Sequence, residues 1–201
     1  MPTIAYRYHD ALYLNITNRC PCDCAFCLRG NRDGVAGSGS LWLDSDPTTA
    51  EVIAAIQTYG DLSQFSEVVY CGFGEPFSSY DVMLDVARWL KDQSATLRVR
   101  VNTNGLGDLI TGHPTAPELT GLIDALSISL NAPTPEEYVQ LCNPLYGLDA
   151  LPAVIAFAKE VKHFVPDVSF TVVDLLTDEQ FTACKRIAKE AGIPLRARAF
   201  V

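Results

Sequence analysis

Two hydrophobic periods alternate along this chain. Short runs rich in Val, Ile, Leu and Tyr at 11–17, 67–72, 97–102, 124–130, 168–174 and 194–200 read as buried strands. Between them, apolar residues return at helical spacing. Val52, Ile53 and Ile56 mark one such stretch, and Val82, Val86, Ala87 and Leu90 a second. Leu151, Val154, Ile155, Ala158 and Val161 mark a third, and Phe181, Cys184, Ile187, Ala188 and Ala191 a fourth. The connections after 102 and 130 are less regular, with short helical pieces near 116–123 and 135–141. Strand–helix alternation of this kind predicts a parallel sheet with right-handed crossovers. Six such units are two short of a closed eight-stranded barrel. The expectation is therefore an α/β fold built as a partial, open (β/α)6 TIM-like barrel. A flat doubly wound sheet has the same periodicity and is the alternative. No repeat or linker interrupts the pattern, so residues 1–201 are expected to form a single domain.

The same pattern says where chemistry belongs. In parallel α/β folds the active site forms at the carboxyl ends of the strands. A cysteine-rich loop follows the first predicted strand, and Gly72-Phe73-Gly74-Glu75-Pro76 follows the second. Asn102-Thr103-Asn104-Gly105 ends the third, and Ser127-Ile128-Ser129-Leu130-Asn131 ends the fourth. Four polar or glycine-bearing segments thus fall on one rim. The glycine-rich stretch 30–46, directly after the cysteines, reads as a surface loop or as a lid over them, with Trp42 anchoring its return.

Composition narrows the class. At 201 residues and 48% hydrophobic, the chain is long enough to bury one good core. The net charge of -9 argues against a general polyanion-binding surface, so nucleic acid is not expected as a partner, nor is a membrane. Seven cysteines, four of them between positions 20 and 27, do not read as a disulfide framework. The start lacks the apolar core of a signal peptide, and no apolar run approaches the ~18 residues of a membrane span. A cytoplasmic, reducing location is expected.

Cys20, Cys24 and Cys27 stand at C-x3-C-x2-C spacing. Three thiolates suit a [4Fe-4S] cluster with one iron left open to bind a ligand. Cys22 lies inside the motif, and four cysteines would also close a zinc site, so a non-catalytic zinc- or Fe-S-binding interaction protein is the alternative. Cys71, Cys142 and Cys184 are isolated and read as packing, with Cys71 the one candidate hydrogen-atom donor at the rim. His9, His113 and His163 show no ligand spacing. No acid–base pair stands out, and no catalytic side chain is assigned.

The cysteine spacing and Cys71-Gly72-Phe73-Gly74-Glu75-Pro76 resemble the signatures of the radical SAM superfamily, the second being similar to its GGEP motif with Phe73 replacing a glycine. The segments "LYLNITNRCPCDCAFCLR", "EVVYCGFGEP", "VNTNG" and "DALSISLNAPTPEEY" resemble, within it, the small TatD-associated proteins. The resemblance implies a [4Fe-4S] cluster on Cys20, Cys24 and Cys27 whose open iron chelates S-adenosylmethionine (SAM). It implies cofactor contacts from Phe26, Gly72, Phe73, Gly74, Glu75, Asn102, Asn104, Ser127, Ser129 and Asn131. Val172 and Val173 are candidates for an apolar contact with adenine. Arg196 and Arg198, sharing one face of the last strand opposite Leu195, Ala197 and Ala199, would meet a substrate carboxylate or phosphate or else sit as solvated edge charges. It further implies an electron donor such as flavodoxin or ferredoxin, and an unidentified substrate, either a peptide loop of a protein partner or a small anionic heterocycle.

Overall fold

The computed structural model describes residues 3–35 and 37–198, so Ala199 and Phe200, the end of the last predicted strand, lie outside the described residues. Seven strands form one sheet: β1 (Ala5–Tyr8), β2 (Ala11–Leu14), β3 (Val68–Tyr70), β4 (Val99–Thr103), β5 (Ala125–Ser129), β6 (Asp167–Val173) and β7 (Leu195–Arg198). The helices are α1 (Thr49–Gln57), α2 (Tyr80–Gln93), α3 (Gly107–Thr111), α4 (Pro135–Cys142), α5 (Ala150–Val161) and α6 (Asp178–Ala191). Thr48 and Thr177 start α1 and α6 with complete capping boxes, and Gly192, in the left-handed region, ends α6.

Strand order in the sheet is strand order in sequence, and every pair from β2 to β7 is parallel. A doubly wound sheet reverses direction at a switch point, and this one never does. The architecture is the partial, open barrel, with β1 and β7 as its two edges.

β1 is the element the pattern missed. It pairs antiparallel to β2 through a tight turn at His9 and Asp10, with Tyr6 opposite Tyr13 and Tyr8 opposite Ala11. His9 supplies the positive φ (53°) that an Asn-Gly pair would have announced in the sequence. The short α3 was missed too.

Side-chain alternation divides the sheet. Leu12, Leu14, Val68, Tyr70, Val99, Val101, Leu126, Ile128, Phe170 and Val172 join the main apolar core, with Met83, Leu90, Val154 and Phe157 from the helices. The opposite, inner face is polar. Asn102 pairs with Ser127 and Ser127 with Ser169; Ser129 pairs with Thr171 and Thr171 with Arg196. Register partners share a face, so these residues line the barrel interior together. Val172 therefore packs under the helices, and of the two valines Val173 alone takes the inner face. No helix among the described residues is long and apolar enough to cross a membrane.

Candidate functional site

The chain leaves the ladder at Leu14, yet Asn15, Ile16 and Thr17 stay buried. Buried polar groups need partners, and here those partners assemble the rim. Asn15 Nδ2 donates to the carbonyls of Thr3 (3.0 Å) and Leu41 (2.8 Å), while its Oδ1 accepts from the Phe73 amide at 3.3 Å. Asn18 Nδ2 donates to the Leu43 carbonyl (2.7 Å), and its Oδ1 accepts from the Leu43 amide (3.1 Å). Sequence reasoning passed over both asparagines. Their signal was two amides at the end of an apolar strand, where only a hydrogen-bonded role justifies burial. They pin the return of the glycine-rich loop, which buries Leu41 and Leu43 and leaves Trp42 41% exposed against Phe73. Trp42 is thus not the anchor; the leucines flanking it are.

The GFGEP segment grips the loop that leads into the cysteines. Gly72 lies against the Asn15 side chain. At Gly74 an added Cβ would overlap the Thr17 carbonyl oxygen and stand 2.7 Å from that of Arg19. The Glu75 amide donates to the Arg19 carbonyl at 2.8 Å. The close approach the glycines permit is therefore to the residues just before Cys20. Gly74→Ala is expected to cost about 1–3 kcal/mol of stability, because backbone cannot yield as a side-chain tip can, and to lower iron content on reconstitution. Gly30→Ala, with nothing within 4 Å, is the control. Equal thermal midpoints and equal iron for the two variants would refute this reading.

Glu75 is buried and accepts from three donors of its own chain. Thr103 Oγ1 (2.7 Å) and the Phe77 amide (3.3 Å) donate to Oε1, and the Asn104 amide (2.7 Å) donates to Oε2. The carboxyl clips β3 to β4. Its pKa is pushed up to about 8, chiefly by burial and next by the nearby Cys20 charge, against those hydrogen bonds. Phe73, in the place of a motif glycine, turns away from the rim into a small cluster with Tyr6 and Leu41.

Within the cysteine loop the thiols sort into two kinds. Cys20 and Cys24 are lowered below the ordinary thiol range, Cys20 chiefly by a hydrogen bond from Cys22 and Cys24 chiefly by one from Cys142, with Arg29 assisting both. Cys22 and Cys142 are raised as the protonated donors. Cys27 is raised chiefly by burial. Arg29 is held by the Cys22 carbonyl at 2.8 Å. Cys142, isolated in sequence, is thus part of the site. The end of α4 lies along the loop, with Asp23 N donating to Cys142 O, Ala25 N to Leu141 O and Leu145 N to Pro21 O.

Asn104 Nδ2 points at Cys20 Sγ (4.0 Å) and Cys22 Sγ (3.8 Å), and Asn131, at positive φ, donates from Nδ2 to Cys142 Sγ at 3.7 Å. Ser127, buried, and Ser129, half-buried, stand on the inner face; Asn102, beside them, accepts from Arg100 Nη1 at 2.7 Å. Phe26 is half-buried against the main core. Arg196 and Arg198 share the inner face of β7 with their side chains exposed. The three histidines are exposed.

All seven cysteines are free. Cys20, Cys24 and Cys27 on one loop, two of them favouring thiolate and one approached by an amide donor, fit the ligand set of an iron–sulfur cluster. Among the described residues no three His, Cys, Asp or Glu side chains, these cysteines included, stand ready to hold a single metal ion.

Comparison with known proteins follows the same line. A family model described as the Radical SAM superfamily matches residues 14–194. The dual-specificity RNA methyltransferase RlmN of Alcanivorax borkumensis is 28% identical over 196 residues, covering 88% of this chain and 48% of that protein. A probable enzyme of the same name from Streptococcus thermophilus is 30% identical over 144 residues, covering 65% of this chain and 34% of that protein. The chain thus spans about half or less of the curated relatives it matches. The crystal structure of a radical SAM methyltransferase from Sphaerobacter thermophilus superposes with a TM-score of 0.66 at 20% identity, covering 97% of this chain and 68% of that one, and shows the shared fold. Relatives named as RNA methyltransferases overturn the expectation, drawn from net charge, that nucleic acid is no partner. Net charge averages over a surface, whereas a polyanion meets one local patch.

Proposed function

Because this chain belongs to the radical SAM superfamily, we propose that it is an enzyme holding a [4Fe-4S] cluster on Cys20, Cys24 and Cys27 and acting on RNA. Cys20, Cys24 and Cys27 would hold the cluster, which with SAM bound would supply one-electron reductive cleavage of the sulfonium and, from it, hydrogen-atom abstraction. The observation that carries the reading is the convergence of the cysteine loop, Glu75 and Asn104 on one rim.

The chain's own residues position and shield. Gly74 and Glu75 fix the entry to the cysteine loop, and Asn104 and Arg29 direct donors and charge towards its sulfurs. Backbone groups of 72–74, together with Asn102, Ser127, Ser129 and Asn131, are the proposed SAM contacts, with Phe26 beside adenine. In this assignment Glu75 orients the motif, three of its acceptor positions being taken by Thr103, Phe77 and Asn104. RNA as substrate class comes from the relatives, and it displaces a peptide loop or a small heterocycle. The narrower likeness to TatD-associated proteins rests on the quoted segments alone. We place residues 1–201 as one core domain, served by flavodoxin or ferredoxin in a reducing cytoplasm.

The test is anaerobic reconstitution with iron and sulfide, followed by SAM and dithionite. Deoxyadenosine release, with roughly four irons per chain, is the expected result. Zinc at one per chain without sulfide would sink the proposal.

A further inference from the structure

The inner face of the sheet carries two chemistries at its opposite edges, and neither is used by the cysteine loop. At the β1 edge stands an aromatic wall. Tyr8 meets Tyr13 edge-on at 5.4 Å, and Tyr13 meets Tyr6 at 5.4 Å. Tyr6 shares a small cluster with Leu41 and Phe73, and Phe73 meets Trp42 at 5.1 Å. The wall runs from the amino-terminal mouth of the barrel, where Tyr8 pairs with Ala11, up to the cysteine rim. Tyr8 (37%) and Trp42 (41%) are two of the few large apolar side chains left exposed. Exposed aromatics aligned along an opening are stacking platforms.

At the β7 edge stand Arg196 and Arg198, in register with Thr171 and Val173. Among the described residues neither makes an ion pair. By contrast, Arg100 is bound to Glu67 (2.7 Å) and Arg98 to Asp167 (2.5 Å) on the same face. By strand alternation the inner face thus sets four arginines against two carboxylates, although the whole chain carries -9. Between the edges lie serines and threonines; Ser127 and Ser129 belong to the proposed SAM contacts, so the part of the face left to a second ligand is where a cavity of about 500 Å³ opens beside Arg100, Ser169 and Arg196.

We infer that this inner face binds a short single-stranded RNA segment, with bases stacked on Tyr8, Tyr13 and Trp42 and phosphates met by Arg196 and Arg198. The inference rests on the reading of the chain as an enzyme acting on RNA, and it names the surface that would do so. Five strand spacings separate β2 from β7, about 24 Å along the curved sheet, enough for a few nucleotides. A peptide would need acidic and aromatic side chains at matching places to meet both the arginines and the stacking wall, whereas single-stranded RNA carries a phosphate and a base at every nucleotide.

The experiment is fluorescence anisotropy with a labelled single-stranded RNA of about ten nucleotides on anaerobically cluster-loaded protein, at several salt concentrations. Deoxyadenosine release without RNA is measured in parallel on the same samples. Arg196→Glu/Arg198→Glu is expected to weaken binding at least about 10-fold and to flatten its salt dependence. Trp42→Ala and Tyr8→Ala are each expected to weaken it about 5- to 10-fold with the salt slope unchanged. Thermal midpoints, and Arg196→Lys/Arg198→Lys with most affinity retained, separate these effects from misfolding. RNA binding that none of the variants changes would overturn the inference while leaving the proposed SAM chemistry standing, as would capture of an arginine-contacting peptide with no RNA binding. Variant-sensitive RNA binding in a protein that never cleaves SAM would support the surface and overturn the chemistry.

Discussion

Replacing Cys20, Cys24 or Cys27 by alanine is expected to reduce bound iron after anaerobic reconstitution to background and to remove the visible charge-transfer absorbance. Deoxyadenosine release should fall by more than about 100-fold, since even residues that only support a metal ligand cost 10–100-fold when lost. Cys22→Ala and Cys142→Ala are expected to keep the cluster. The reason lies in spacing and placement: Cys20, Cys24 and Cys27 carry the C-x3-C-x2-C spacing on one loop, whereas Cys22 lies between them and Cys142 comes from the end of α4. Both silent variants should alter the cluster's reduction potential, because hydrogen bonds to ligand sulfurs are among the groups that set it. Iron content and absorbance decide the point independently of turnover. If Cys22→Ala loses iron as completely as Cys24→Ala, the three-ligand assignment fails.

The cysteine spacing was readable because ligand chemistry is local: three thiols within one loop need no tertiary context. The parallel strands were readable for a similar reason, since their core-facing positions are apolar, by alternation in Val99-Arg100-Val101-Asn102-Thr103 and as a continuous run in Val68-Val69-Tyr70. What the sequence hid was pairwise. Cys142 looked inert because its neighbour, Cys24, is more than a hundred residues away, and only the run of α4 beside the loop joins them. The donors that Thr103 and Asn104 supply to Glu75 were hidden as well, because they stand almost thirty residues further along the chain. Nucleic acid was dismissed on a total of charge, and a total cannot show four arginines gathered on one face by strand alternation. The flat alternative fell for the same kind of reason, because strand order is a long-range fact with no trace in periodicity.

Glu75→Ala should be the most damaging single change outside the cysteines. It strips three buried donors of their acceptor, the Thr103 hydroxyl and the amides of Asn104 and Phe77. Each orphaned donor costs about 1–3 kcal/mol. Some recovery by water is expected, so the loss at pH 6 should be about 3–5 kcal/mol. In a domain of this size that lowers the thermal midpoint by roughly 10 °C. The deficit should also depend on pH with a defined sign. Burial lifts the folded pKa of Glu75 to about 8, above its ordinary 4.5. The stabilisation it contributes is therefore complete below about 4.5 and is lost as pH rises through 8. Each pH unit between those two values is worth about 1.4 kcal/mol, so the wild type should weaken across this window by up to about 5 kcal/mol while Glu75→Ala does not. The gap between the two proteins should be widest near pH 5 and narrow towards pH 9. Denaturant midpoints of cluster-free protein, kept reduced, measure it directly. A gap that stays constant or widens with pH would mean that the buried carboxyl is held ionised by its three donors, and that the clip between β3 and β4 is an ionic one.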